Sequence, residues 1–148
     1  MIKYLTFGIS ISVISWIVGI ILNFIFMKTK YYKNVTNLNF ISNKNIGIKY
    51  FKWIVKNTFF KFFNQSIKIK NKKTNLTEVR KEMTTAEINH LFGFLFATVV
   101  AIYMSITKDF LYVLTIMVAN ILMNLYPSLL QQENKRRIDK VILKQRKL

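Results

Sequence analysis

Residues 90–130 read HLFGFLFATVVAIYMSITKDFLYVLTIMVANILMNLYPSLL, and the placement of charge in that stretch decides the fold. After His90 there is no charge through 107; Lys108 and Asp109 stand together; there is none again from 110 to 130. The two uncharged runs are 17 and 21 residues long. A helix rises 1.5 Å per residue and the hydrocarbon core of a bilayer is about 30 Å thick, so about 20 apolar residues cross it. The runs read as two spans, at about 90–107 and 110–130, joined by a very short polar tip. The shorter run is at the lower limit for a span, and the helix-forming composition of 78–89 carries its helix backwards. Towards the N-terminus, residues 4–27 give a third run of 24 residues without charge. That is too long for the apolar region of a signal peptide, and no small-residue cleavage site follows it.

The chain of 148 residues carries 23 Lys plus Arg against 6 Asp plus Glu, a net charge of +17, and is 52% hydrophobic. A soluble, basic nucleic-acid binder would leave the three uncharged runs unexplained, so nucleic acid is set aside as a partner. The absence of Cys removes disulfide scaffolds, thiolate zinc sites and thiol nucleophiles. A single His removes any site that needs several imidazoles. Nineteen of the 23 basic residues are Lys and Asn occurs 14 times, the drift of an A+T-rich genome. Arg80, Arg136, Arg137 and Arg146 run against that drift and say more per residue.

The basic residues also orient the chain. Fourteen lie between Met27 and His90 and seven after Leu130, against Lys3 alone before the first span and Lys108 alone in the tip. Cytoplasmic loops carry the excess of Lys and Arg. With three spans, the 28–89 loop and the basic tail at 131–148 fall on one side, the cytoplasm, and the N-terminus falls outside. Within the loop, Lys49, Lys52, Lys56 and Lys61 alternate with Ile46, Phe51, Ile54, Val55, Phe59 and Phe62 near one helical period, with Tyr50 and Trp53 among them. Residues 46–63 read as an amphipathic helix in the interface, Lys towards anionic lipid; an ordinary helix packed on the spans is the blander reading. The fold class is an all-α integral membrane protein, three transmembrane helices plus one amphipathic interfacial helix, in a single membrane domain.

Polar side chains in or beside a span are costly and mark function by default. Glu87 and His90 stand at i, i+3 at the cytoplasmic end of the second span, where a carboxylate can hold one ring nitrogen and leave the other as a base. A His at a membrane interface is also common without catalysis. Di-iron sites use Glu-x-x-His too, but need a second copy and further Glu residues, so no metal is assigned. Asn120 and Asn124 stand at i, i+4 on the third span, with Pro127 and Gln131 continuing the stripe. Such amides bind substrate or bond a neighbouring helix. Pro127 removes a donor, which predicts a kink and a Met123 carbonyl unpaired near Asn124. Gln131, Gln132, Asn134, Lys135, Arg136 and Arg137 close the span, as a stop-transfer cluster or, through the two Arg, as a phosphate or headgroup grip. Antiparallel packing of the second and third spans brings Glu87 and His90 level with 130–134, Asn124 about 9 Å deeper. The polar groups then converge at one cytoplasmic rim.

Glu82-x-x-x-Ala86-Glu87-x-x-His90, followed by Asn124, Pro127 and Gln131-x-x-Asn134-Lys135-x-Arg137, resembles the glycosyl-4,4'-diaponeurosporenoate acyltransferases, small membrane enzymes that acylate the sugar of the carotenoid staphyloxanthin. The tail of that family reads Gln-Arg-Tyr-Asn-Arg-x-Arg; Gln132, Glu133 and Lys135 depart from it. The resemblance implies transfer of a fatty acyl group to a hydroxyl of a glycosylated carotenoid or similar glycolipid, without a cofactor, in a bacterial plasma membrane. Partners would be membrane lipids, the acyl donor and the glycolipid acceptor; spans of this kind also admit an oligomer. The acyltransferase motif with Asp five positions after His is absent, since position 95 is Leu95. The roles implied are His90 as base, Glu87 as its orienter, Asn124 as a donor to the oxyanion, and Arg136 or Arg137 on the donor's phosphate. Asn120, Gln131 and Asn134 complete the substrate-binding set. The alternative reading is a non-catalytic basic membrane protein that binds anionic lipid or a membrane partner.

Overall fold

The computed structural model describes residues 1–32, 50, 53, 57 and 75–145. Every element among them is helical. Helix α1 is Ile2–Phe26, α2 is Leu76–Thr107, and α3 is Phe110–Asn120. A π-helical turn, Ile121–Leu125, joins α3 to α4, Tyr126–Gln145. Three helical stretches are long and apolar enough to cross a membrane: α1, α2 and the continuous run Phe110–Gln145. The protein is a multi-pass membrane protein. Of the expected amphipathic helix at 46–63, Tyr50, Trp53 and Asn57 are described, and all three are exposed; the rest lies outside the described residues.

The side chains are distributed as in lipid. Ile14, Ile17, Ile21 and Phe24 on α1, Val99, Ile102 and Tyr103 on α2, and Leu114, Val118 and Leu122 on the third span face outward and are exposed. The inward stripe of α1 is Gly8, Ser12, Ser15, Gly19 and Asn23, small or polar at every position. Between helices in a bilayer, where apolar contact gains nothing over lipid tails, small residues allow close approach and polar ones supply hydrogen bonds. A Cβ on Gly8 would meet the backbone of Thr115 at 2.7 Å, and one on Gly19 would fall on the carbonyl oxygen of Asn89. Helix α1 therefore packs backbone to backbone against α3 at one end and α2 at the other. Asn23 fixes the second contact by donating to Asn89 Oδ1 at 2.7 Å and to the Thr85 carbonyl at 3.2 Å.

Asn75 caps α2, its side chain accepting from the backbone N–H groups of Thr77 and Glu78. The helix then runs 32 residues without interruption, so the helix-forming segment before His90 and the span are one rod. The third span departs from expectation in two ways. The turn before Pro127, where a kink was expected, is a widened one, in which the Tyr126 N–H bonds the Ile121 carbonyl five residues back. A wider turn relieves the clash between a proline ring and the carbonyl four residues earlier and takes up one extra residue. Nor does the helix stop near 130; it continues to Gln145 against the N-terminal half of α2, so the basic segment through 145 is a packed helix.

Candidate active site at the junction of the three spans

The extra residue of the π turn sets which side chains of α4 face inward. Asn120 and Asn124 point into the bundle as expected, each 0% exposed. Continued as an α-helix, their stripe would bring Pro127, Gln131 and Asn134 inward. With one residue absorbed, Ser128, Gln132 and Lys135 are buried instead, while Gln131 and Asn134 are half-buried and make no described hydrogen bond. The Ser128 hydroxyl donates to the carbonyl of Glu87 at 3.2 Å.

Glu87 is not the partner of His90. Its carboxylate forms a buried ion pair with Lys135, and Gln132 Nε2 approaches its other oxygen at 3.5 Å. The i, i+3 spacing suggested a Glu–His pair, but Glu87 faces α4 and the cation there captures it. Where the tail pattern of the resemblance has Arg, Lys135 keeps the positive charge. Arg80, two turns before Glu87 on α2, donates through Nε to Asp139 at 2.5 Å, tying α2 to α4 again. Arg137 is exposed and paired with Glu133 on its own helix. Arg136 is half-buried and close enough to act on Glu87.

His90 belongs to a different set of neighbours. Its ring is half-buried and lies beside the side chain of Asn124 and the backbone of Met123 in the π turn. Its Nδ1 is buried without a hydrogen-bond partner, as is Oδ1 of Asn124. The two N–H groups of the Asn124 amide are both engaged, one on Ser15 Oγ and one on Asn120 Oδ1, each at 2.9 Å. Asn120 in turn donates to the Phe94 carbonyl at 3.0 Å and to Thr98 Oγ1 at 3.3 Å. An amide ladder thus crosses the bundle from α1 through the third span to α2. Both N–H groups of Asn124 are thus taken up within the ladder, and the group it leaves towards the imidazole is its oxygen, an acceptor.

Ser15, Asn23, Asn89 and Ser128 were not singled out in the sequence, and Gln132 and Lys135 stood there only as members of the polar cluster that closes the third span. For α1 the signal was present: Gly8, Ser12, Ser15, Gly19 and Asn23 recur at three and four residues through an otherwise apolar run. For α4 there was none, because nothing in the composition announces a π turn.

Residues 28–144 match the sequence profile of a family described as glycosyl-4,4'-diaponeurosporenoate acyltransferase. The match takes in α2, α3, the π turn and nearly all of α4, and α1 precedes it. No curated protein and no solved structure matches the chain.

Proposed function

The chain belongs to the glycosyl-4,4'-diaponeurosporenoate acyltransferase family, membrane acyltransferases of carotenoid biosynthesis, and we propose that it transfers a fatty acyl group to a sugar hydroxyl of a glycosylated carotenoid or closely similar glycolipid. The observation that carries the reading is the family match over 28–144, the stretch that holds His90, Asn124 and the whole cationic rim. In the proposed reaction His90 takes the proton of the acceptor hydroxyl as its oxygen attacks the acyl carbonyl. The same proton then goes to the departing group of the donor, whose bond to the acyl carbon breaks. Asn124 holds the ring in one tautomer. The exposed pair of Arg137 with Glu133 is a weak one, so its guanidinium is available to exchange partners for a phosphate of the donor. Glu87 holds α4 in register through Lys135 and takes no part in proton transfer.

Lipid mass spectrometry of cells supplied with a glycosylated diaponeurosporenoate tests this. Wild type should yield the acylated glycolipid. His90→Ala and His90→Gln should abolish it while the protein still inserts and accumulates, since general acid–base catalysis contributes on the order of 10²- to 10⁴-fold. Asn124→Ala should retain part of the activity. If wild type acylates no glycolipid offered, the lipid-binding reading, favoured by the cations gathered at the α2–α4 end, replaces this one. Equal product from wild type and His90→Ala would make the His structural.

A further inference from the structure

Helix α1 lies before the family-matched segment, yet its Ser15 bonds the side chain that lies beside His90. We infer that Ser15 is a positioning residue: it fixes the Asn124 amide, and through it the ring of His90. Asn124 has two N–H groups and one carbonyl oxygen. Ser15 Oγ and Asn120 Oδ1 take the two N–H groups, so the amide plane is fixed from both sides and Oδ1 can point in one direction only. That direction is α2. A Cβ placed on Gly93 would stand 2.9 Å from Asn124 Oδ1 and 2.9 Å from the backbone oxygen of Ser15. The oxygen therefore rests on the bare backbone of Gly93, one turn from His90 on the same helix face. His90 lies beside the same side chain and beside the backbone of Met123, and its Nδ1 is buried. The Asn124 oxygen and His90 Nδ1 are both buried at a junction of three helices, where an unmet hydrogen bond is costly.

Ser15 is itself held. Its hydroxyl donates to the Ser12 carbonyl at 2.7 Å, which turns the oxygen's lone pairs towards Asn124. Ser12, one turn earlier on the same stripe, is equally buried at 0% exposure, but its hydroxyl has no hydrogen-bond partner. The pair supplies an internal control: two serines alike in burial and helix face, one wired to the amide ladder and one not. A packing role would make them equivalent; a positioning role separates them. For its catalytic meaning the inference rests on the acyl-transfer reading, but the geometry does not.

The test uses the full chain in lipid bilayers with ring-¹⁵N histidine. His90 is the sole imidazole, so both ring nitrogen signals come from it. At alkaline pH, with the ring neutral, wild type should show a single tautomer protonated on Nδ1, and Ser12→Ala should match it. Ser15→Ala leaves an Asn124 N–H without its acceptor, releases the amide, and should bring in the second tautomer. Ser15→Cys keeps the shape of the side chain with a somewhat larger atom, but accepts weakly. It should give an intermediate spectrum, and it carries the test if the alanine variant does not accumulate. With an active preparation, Ser15→Ala should also lower kcat by roughly 10- to 100-fold at unchanged KM, the size of a small misplacement of a reacting group. A wild-type spectrum retained in the Ser15 variants, mixed tautomers in wild type, or an equal change in Ser12→Ala would each overturn the inference. If the Ser15 variants shift the spectrum and no acyl transfer occurs on any acceptor, the positioning role stands and the acyl-transfer reading falls.

Discussion

Glu87 and Lys135 are 5% and 3% exposed, and at that depth the two charges are tolerated only together. Removing one partner of a buried pair leaves the other charge uncompensated, which typically costs about 3–5 kcal/mol, whereas replacing both by apolar groups is often near neutral. Glu87→Leu and Lys135→Met should therefore each lower stability by an amount of that order, and the double variant should recover most of the loss. Denaturant titration of the four proteins in a fixed detergent closes the cycle; additive losses would mean that the pair does not hold α4 on α2. At this scale the sequence was partly readable. His90, Glu87, Asn120 and Asn124 stood out because each is polar where an apolar residue is easier to bury. Their partners did not, because Lys135 and Ser15 are distant along the chain and one of them resembles an ordinary stop-transfer charge. The Glu-x-x-His spacing therefore suggested the wrong mate for Glu87.

Helices as units were more readable, since span length follows from bilayer thickness and from the position of charge alone. The π turn escaped because its cause, Pro127, predicts a disturbance but not its form. A kink and a one-residue insertion both relieve the same clash, and only the insertion rotates Ser128, Gln132 and Lys135 inward in place of Gln131 and Asn134. The docking of α1 gives the sharpest prediction at this level. Gly19 faces the Asn89 carbonyl with no room for a Cβ, whereas its neighbour Ile20 is 40% exposed towards lipid. Gly19→Ala should destabilise the bundle by about 1–3 kcal/mol or more, the range for overpacking a tight contact. Ile20→Ala should change little. Resistance of the full chain to denaturing detergent measures both. Equal tolerance of the two substitutions would place α1 loosely against its neighbours, and the amide ladder from Ser15 could not then hold.

Charge and polarity together set how the whole molecule sits in the bilayer. The cationic end of the α2–α4 pair, the N-terminal cap of α2 and the last turn of α1 belong to one side, and the Lys108 and Asp109 tip belongs to the other. On the proposed orientation the first side is the cytoplasm, because 14 basic residues between Met27 and His90 and seven after Leu130 outweigh Lys3 and Lys108. The site has a side as well. Glu87 and His90 lie in the half of α2 nearer the cationic end, so an acyl donor bearing phosphate would reach the Arg residues from the cytoplasm. The carotenoid portion of the acceptor would stay in the lipid against the exposed apolar faces. The chain has no Cys, so one introduced at position 2 or at 144 is the only thiol present. A membrane-impermeant thiol reagent applied to intact cells should label the first and spare the second; both should react once the membrane is opened. Labelling of position 144 in intact cells would reverse the orientation. The rim would then face outward, away from cytoplasmic donors, and the acyl-transfer chemistry would need a donor from the other compartment.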